Sequence, residues 1–201
     1  MEIKDKRIRI AVFASGEGSN AETIVAHFST HPHIEVALMV SNKETAGVYA
    51  RMEKWGIPCY TIGKCEWQPG STGNQVLDLM HRENIQLIVL AGFLAFIPKT
   101  IVNAFEGRII NIHPSLLPKH GGKGMWGHHV HEAVIAAHDL VSGITIHHVT
   151  ENLDDGNIIF QAQCEVLPDD TPHSLATRIH QLEHKYYPQV VEQLAIKILQ
   201  E

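Results

Sequence analysis

The stretch IRIAVFASGEGSN, residues 8–20, determines the fold class that we predict for this chain. Ile8 to Ala14 is an apolar run broken only by Arg9, which is typical of a buried strand. Glycines follow at positions 16 and 18, and Asn20 to Phe28 has the apolar spacing of a helix. A strand, a glycine turn and a helix in this order are typical of an open α/β sheet, whose first turn binds phosphate.

The same alternation continues through the first half of the chain. Continuous Val, Ile and Leu runs separated by helical patterns predict a parallel sheet covered on both faces. Residues 64–73 (KCEWQPGSTG) are predicted to form a polar loop between two of these elements. The further predicted strands are 34–40, 57–62, 85–91 and 108–112, and the further predicted helices are 46–55 and 74–83.

The second half of the chain has a different pattern. The glycine-rich residues 119–127 (KHGGKGMWG) predict a mobile loop, and a helix is predicted over 128–137. Alternating runs at 143–149 and 157–166 predict an antiparallel hairpin at the sheet edge. A long helix is predicted over 171–200, kinked or split at Pro188. The predicted fold is therefore α/β: a Rossmann-like, open, mostly parallel twisted sheet with helices on both faces and an antiparallel hairpin near the C-terminal half.

Composition favours one soluble domain over residues 1–201, with no linker or repeat. The chain is 44% hydrophobic and carries a formal net charge of −6, which argues against nucleic acid as a partner. No apolar run suits a membrane span, and the N-terminus lacks the apolar segment of a signal peptide. The three cysteines have no CxxC spacing, which favours reduced thiols and a cytoplasmic protein. We expect a monomer or a homodimer, since the sequence does not decide between them.

Fifteen histidines are the unusual feature of the composition. Some of them cluster at positions 128, 129 and 131, and others at 147 and 148. A zinc site is one interpretation, but the sequence has no HExxH and no Cys/His ligand spacing. We therefore expect no metal and interpret these histidines as polar side chains of loops and helix surfaces.

Two polar residues mark the end of the strand at 108–112. Asn111 and His113 are two residues apart, so strand alternation sends both side chains to the same side, and Pro114 ends the strand. An amide that polarises a carbonyl and an imidazole that moves a proton suit acyl chemistry. The alternative is a strand-end pair that satisfies loop backbone, and the pair alone does not decide between the two.

The glycine loop fits a phosphate monoester better than a dinucleotide. Ala21 breaks the GxGxxG pattern, and Ser41-Asn42 stands where an NAD site has its ribose-binding acid. The helix N-terminus offers unsatisfied N–H groups to a phosphate. A tight turn with Ser19 or Asn20 as the helix N-cap is the alternative.

Several motifs together resemble the formyltransferase family that uses 10-formyltetrahydrofolate. The resemblance covers nearly the whole chain, and NIHPSLLP followed by LDDG is its most specific part. GSN points to the branch that formylates glycinamide ribonucleotide. The motifs are ASGEGSN at 14–20, SNK at 41–43, VLAGF at 89–93, NIHPSLLPK at 111–119, LDDG at 153–156 and EHKYYP at 183–188.

The resemblance implies transfer of a formyl group from 10-formyltetrahydrofolate to the amine of 5′-phosphoribosylglycinamide, in purine biosynthesis and without a metal. Asn111, His113 and Asp154 would be catalytic, with Asp154 favouring a protonated His113, and His147 would support them. Gly18, Ser19 and Asn20 would hold the phosphate, and Glu183, with His180, Gln181 and Leu182, would bind the ribose. The pterin pocket would comprise Leu94, Ala95, Phe96, Ile97, Asn111, Thr150, Glu151, Asn152, Leu153 and Asp154.

Other interpretations of the same residues stay open. Asp154 and Asp155 are also typical of a turn, Glu183 of a solvated helix face, and residues 94–97 of a core. A formyltetrahydrofolate deformylase is the nearest alternative activity, although it would lack GSN and carry a further domain before the first strand. Formyl transfer to a tRNA would need a nucleic-acid-binding region. A non-catalytic nucleotide-binding module would leave Asn111 and His113 idle.

The chain departs from the family pattern at three places. Ala95 stands where an arginine is frequent, and the loop at 64–73 lacks an SRE-type motif, so the partner of the folate glutamate tail is not identified. The loop after NIHPSLLPK is long, and His128 and His131 are both candidates for the family histidine beyond it.

Overall fold

Among residues 7–201, which the computed structural model describes, seven strands form one sheet. Residues 1–6 belong to the N-terminal segment from which we predict that no signal peptide is present, and they lie outside the described residues. The strands are β1 (Ile8–Phe13), β2 (Ile34–Ser41), β3 (Cys59–Thr61), β4 (Leu87–Leu90), β5 (Ile109–His113), β6 (Val141–His148) and β7 (Ile158–Glu165).

The sheet has the order β3-β2-β1-β4-β5-β6-β7. Strands β1 to β5 pair in parallel, whereas β6 pairs antiparallel with both β5 and β7. The predicted open, mostly parallel sheet with an antiparallel hairpin near the C-terminal half is therefore confirmed.

Helices cover both faces of this sheet, as predicted. Strand β1 shows why, because Ile10 and Val12 pack into one hydrophobic core while Ala11 and Phe13 pack into the other. The period of two in a strand sends successive side chains to opposite faces, so a continuous apolar run requires a cover on each. The helices are α1 (Ser19–Phe28), α2 (Val48–Glu53), α3 (Asn74–Arg82), α4 (Lys99–Ala104), α5 (His128–Ala136) and α6 (Pro172–Gln200).

Three local features differ from the predictions. Helix α4 was not predicted, because its six residues are too short to display a helical period. The loop predicted at 64–73 contains a 3-10 helix, Lys64–Trp67, which is anchored where the buried Trp67 indole N–H donates to the Ile62 carbonyl. Helix α6 is not split at Pro188 and continues to Gln200.

The parallel strands bring four chain segments to one edge of the sheet. Strand order reverses between β1 and β4, and open α/β sheets bind ligands at such a switch point. The buried Ser15 ties this edge together. Its hydroxyl donates to Asn42 Oδ1 at 2.6 Å and accepts from the Leu94 backbone N–H at 2.8 Å.

No helix among residues 7–201 combines the length and the apolar character that a membrane crossing requires.

Candidate active site

The glycine loop ends in an uncapped helix N-terminus. Gly18 is the N-cap of α1 with φ 76°, and no side chain caps this end, so the alternative of Ser19 or Asn20 as a capping residue is wrong. A Cβ on Gly18 would lie 2.6 Å from Val48 Cβ, so both the backbone conformation and the close approach of α2 favour glycine. The first N–H groups of α1 are left without a side-chain acceptor, as an anion site requires.

Helix α6 brings a carboxyl group to this loop. Asn20 Nδ2 donates to Glu183 Oε2 at 2.8 Å, and His180 Nε2 lies 4.0 Å from the same oxygen. Burial raises the pKa of Glu183, and the Asn20 hydrogen bond and the His180 charge oppose that shift. The alternative of a solvated helix face for Glu183 is therefore wrong, because its side chain is buried. Asn20 Oδ1 is also buried and has no hydrogen-bond partner among the described residues.

The two other residues of the predicted ribose segment lie differently. Gln181 is exposed on α6, and Leu182 packs against the hydrophobic core. Among the four predicted ribose-binding residues, the structure thus brings Glu183 and His180 to the glycine loop.

At the end of β5, Asn111 is oriented by a histidine on the neighbouring strand. Asn111 and His147 are paired in register between β5 and β6, and Asn111 Nδ2 donates to His147 Nε2 at 3.2 Å. The other imidazole nitrogen, Nδ1, lies 2.9 Å from the His148 carbonyl and therefore carries the proton. Burial lowers the pKa of His147, which favours this neutral tautomer. Asn111 keeps a second N–H available for a ligand.

His113 is held between a carboxylate and a backbone carbonyl. Its Nδ1 lies 3.6 Å from Asp154 Oδ2, and its Nε2–H donates to the His120 carbonyl at 2.8 Å. The ring is 4% exposed, so these two oxygens dominate its surroundings. The ring is thus hydrogen-bonded through Nε2, while Nδ1 faces the Asp154 carboxylate.

Asp154 connects the residues of this site. Its Oδ1 lies 3.7 Å from His147 Nε2, and its Oδ2 accepts from the Gly122 backbone N–H at 2.8 Å. Asp154 has φ 53°, a left-handed conformation that Asp and Asn adopt more readily than most other residues. Nearby Gly156 leaves no room for a side chain, since a Cβ there would overlap the His148 carbonyl. The LDDG turn is therefore both a tight turn and the support of a carboxylate beside His113.

The two segments predicted to line a pterin pocket are linked through the start of α4. Lys99, two residues after the first segment, forms an ion pair of 2.7 Å with Glu151 of the second, between Nζ and Oε1. Leu94 is 46% exposed, whereas Ile97 is buried in the core that includes α3 and α4. The core interpretation thus holds for Ile97. Among the remaining members of the two segments, Ala95 and Phe96 are partly buried, and Thr150, Asn152 and Leu153 are exposed.

The two candidate histidines beyond the glycine-rich loop have opposite environments. His131 is buried, and burial together with the charges of His180, His128 and His113 lowers its pKa to about 4. Its Nδ1 has no hydrogen-bond partner among the described residues. His128 is exposed at the start of α5. His131 is therefore the candidate that lies inside the protein.

Three residues of the site were not identified from the sequence. Ser15 joins the strand ends, and His120 places its carbonyl on His113. Tyr187 is fully buried, and its hydroxyl donates to the Leu90 carbonyl at 2.9 Å, at the end of β4 beside β5. Tyr187 lies in the quoted motif EHKYYP, which is the one sequence signal that could have indicated it.

Comparison with known proteins shows that the chain is similar to formyl transferases over most of its length. Residues 8–191 match the formyl transferase family. The chain is 41% identical over 191 residues to a chloroplastic phosphoribosylglycinamide formyltransferase of Arabidopsis thaliana, covering 92% of this chain and 65% of the relative. A second chloroplastic relative, from Vigna unguiculata, is 40% identical, and the chain spans 62% of its length. With the Bacillus subtilis phosphoribosylglycinamide formyltransferase the identity is 38%, covering 92% of this chain and 94% of the relative.

Solved structures agree with these relatives. The structure of phosphoribosylglycinamide formyltransferase from Anaplasma phagocytophilum superposes with a TM-score of 0.85 at 33% identity, covering 96% of this chain and 89% of that one. The enzyme from Bacillus halodurans gives a TM-score of 0.84 at 36% identity, with 92% and 94% covered.

Proposed function

The chain belongs to the formyl transferase family, and we propose that it transfers the formyl group of 10-formyltetrahydrofolate to the amine of 5′-phosphoribosylglycinamide in purine biosynthesis. The relatives that carry this activity in their names cover nearly all of this chain. The observation that carries the proposal is the shared sheet edge. There the uncapped N-terminus of α1 lies at the same edge as Asn111, His113 and Asp154.

The acceptor is proposed to bind at the glycine loop. The phosphate accepts from backbone N–H groups of Gly18, Ser19 and Asn20, where the α1 dipole favours negative charge. Glu183 supplies a carboxyl group to the ribose hydroxyls, and its contact with Asn20 ties the two subsites together. The acceptor amine then extends along the sheet edge toward β5.

The formyl donor is proposed to bind between residues 94–97 and residues 150–154. Backbone groups and the exposed Leu94 offer a mixed polar and apolar surface for a pterin ring. Asn111 lies on β5, paired with Leu90 of β4. A donor bound in this way would bring its formyl carbon between the acceptor amine and the proposed catalytic side chains.

The reaction follows from the groups at that point. The amine nitrogen attacks the formyl carbon, and the carbonyl oxygen becomes an oxyanion that accepts from the free Asn111 N–H and from protonated His113. One such donor is typically worth about 2.7–4 kcal/mol in the transition state. The amine loses a proton through water near Asp154. The bond from carbon to the folate nitrogen breaks as that nitrogen takes a proton, and the formyl group stays on the acceptor.

The His120 carbonyl competes with the oxyanion for the hydrogen bond from His113. It accepts the N–H of His113 that would otherwise point to an oxyanion. Donation from His113 to the oxyanion therefore requires the loop at 119–127 to withdraw that carbonyl.

An assay of formyl release from 10-formyltetrahydrofolate, with and without the ribonucleotide acceptor, tests the proposal. We expect tetrahydrofolate to form only when the acceptor is present, with equal amounts of formylated acceptor. Release without acceptor would identify a deformylase. Binding of the ribonucleotide without turnover would identify a nucleotide-binding module.

We further propose a cytoplasmic enzyme, a single domain over residues 1–201, acting as a monomer or homodimer on small molecules. The three free cysteines support the cytoplasmic location, and the net charge of −6 argues against a nucleic-acid partner. Analytical ultracentrifugation at micromolar concentration would establish the oligomeric state.

A further inference from the structure

We propose that His128, His129 and Glu132 form a binding site for a divalent transition-metal ion of the Zn²⁺ class. One potential ligand atom from each side chain lies within 4.8 Å of the others. Two imidazoles and one carboxylate are a donor set that suits zinc, nickel and copper rather than magnesium or calcium. The sequence lacks the familiar zinc spacings, so this site depends on the helical arrangement of α5.

Helix geometry brings these three side chains together. Residues three and four apart are neighbours on a helix surface, which places Glu132 beside both histidines. His129 Nδ1 lies 3.4 Å from Glu132 Oε2. This separation matches two ligands of a tetrahedral zinc ion, since bonds of about 2.1 Å give an edge of about 3.4 Å. The imidazole rings of His128 and His129 lie with centroids 3.9 Å apart, and a nitrogen of His128 lies within 4.8 Å of both other donor atoms.

The surroundings allow an ion to enter and water to complete the coordination. The side chains of His129 and Glu132 are 43% and 56% exposed. The negative charge of Glu132 attracts a cation and opposes the repulsion from the positive end of the α5 dipole. Trp126 packs edge-on against His129 with ring centroids 4.8 Å apart, so an ion here lies close to an indole. The proposed formyl transfer uses none of these three side chains.

The test is isothermal titration of the chain, without an affinity tag, with ZnCl₂ near neutral pH. We expect one Zn²⁺ per chain at this cluster, released on acidification because the imidazoles must be neutral to bind. His129→Gln and Glu132→Gln should each raise the dissociation constant for Zn²⁺ by more than roughly ten-fold. Ten-fold is the lower end of the loss of affinity seen when a residue that only supports a metal ligand is replaced, and a ligand itself should cost more. His81→Gln, an exposed histidine on α3, is the matched control and should leave the constant unchanged.

Fluorescence gives a second readout at the same place. Cu²⁺ should quench the emission of Trp126, and Trp126→Phe should remove that quenching while leaving Zn²⁺ stoichiometry intact. Circular dichroism of the two ligand variants, whose side chains are exposed, checks that they fold. The proposal is overturned if the folded chain binds no Zn²⁺, or if His81→Gln weakens binding as much as His129→Gln does.

Discussion

Replacement of Asp154 by Asn is the sharpest test of the proposed catalytic group. The substitution removes the negative charge 3.6 Å from His113 Nδ1 and 3.7 Å from His147 Nε2. It leaves the shape of the side chain, and an amide oxygen can still accept from the Gly122 N–H. Asn also tolerates the left-handed backbone conformation at φ 53°, so the turn is expected to persist.

The expected fall in kcat follows from the roles proposed for the Asp154 carboxylate. Without it, His113 loses its ion-pair partner, and the proposed path of the amine proton through Asp154 and water is removed. General acid–base assistance is worth about 10²–10⁴-fold, so we expect kcat to fall by about two to four orders of magnitude. That fall corresponds to about 2.7–5.4 kcal/mol of transition-state stabilisation.

Asp155→Asn is the matched control. Asp155 is an exposed neighbour that accepts from Asn152 Nδ2 at 3.0 Å, and its loss should leave kcat near the wild-type value. Steady-state formyl transfer, together with thermal unfolding of both variants, separates chemistry from folding. Near-normal kcat in Asp154→Asn, or an equal fall in Asp155→Asn, would refute the assigned role of the carboxylate.

Three further outcomes are expected. Gly18→Ala should lower the free energy of unfolding by at least about 1–3 kcal/mol and weaken ribonucleotide binding, whereas Gly16→Ala, where a Cβ meets nothing within 4 Å, should be tolerated in urea denaturation. Tyr187→Phe leaves the buried Leu90 carbonyl without its donor and should cost about 1–3 kcal/mol in the same measurement. Because the pKa of His131 falls from 6.5 to about 4 on folding, the unfolded chain binds more protons between these values. The contribution of His131 to the free energy of unfolding is therefore lost as the pH falls from 6.5 toward 4. His131→Gln should flatten the dependence of the free energy of unfolding on pH in this range, and an unchanged slope would contradict the assignment.

Much of the fold could be predicted because the parallel strands are largely apolar, as β1 and β4 show. The run from Ile8 to Phe13 can be satisfied only by a sheet covered on both faces, and the two cores on either side of β1 fulfil that requirement. The prediction failed where a local rule competed with tertiary packing. Helix α6 continues past Pro188, a residue that is itself buried against the rest of the protein, so packing along α6 outweighs the missing hydrogen bond.

The candidate site could also be predicted only in part from the sequence. Strand alternation and the proline stop placed Asn111 and His113 on one side of a strand end without any tertiary information. The sequence could not decide whether Asp154 is more than a turn residue, because only the pairing of β5 with β6 and the return of the hairpin bring it to His113. The same holds for Ser15 and Tyr187, whose partners lie 79 and 97 residues away in the chain.

The sequence by itself thus determined the strands, the glycine loop and the strand-end pair, since these follow from local periodicity and turn residues. Only the tertiary structure decided that Glu183 is buried against Asn20, that His147 orients Asn111, and that His120 covers His113. Each of these contacts joins segments that the chain order separates. Their geometry follows from the strand order and the docking of α6 and the loop, which no local pattern encodes.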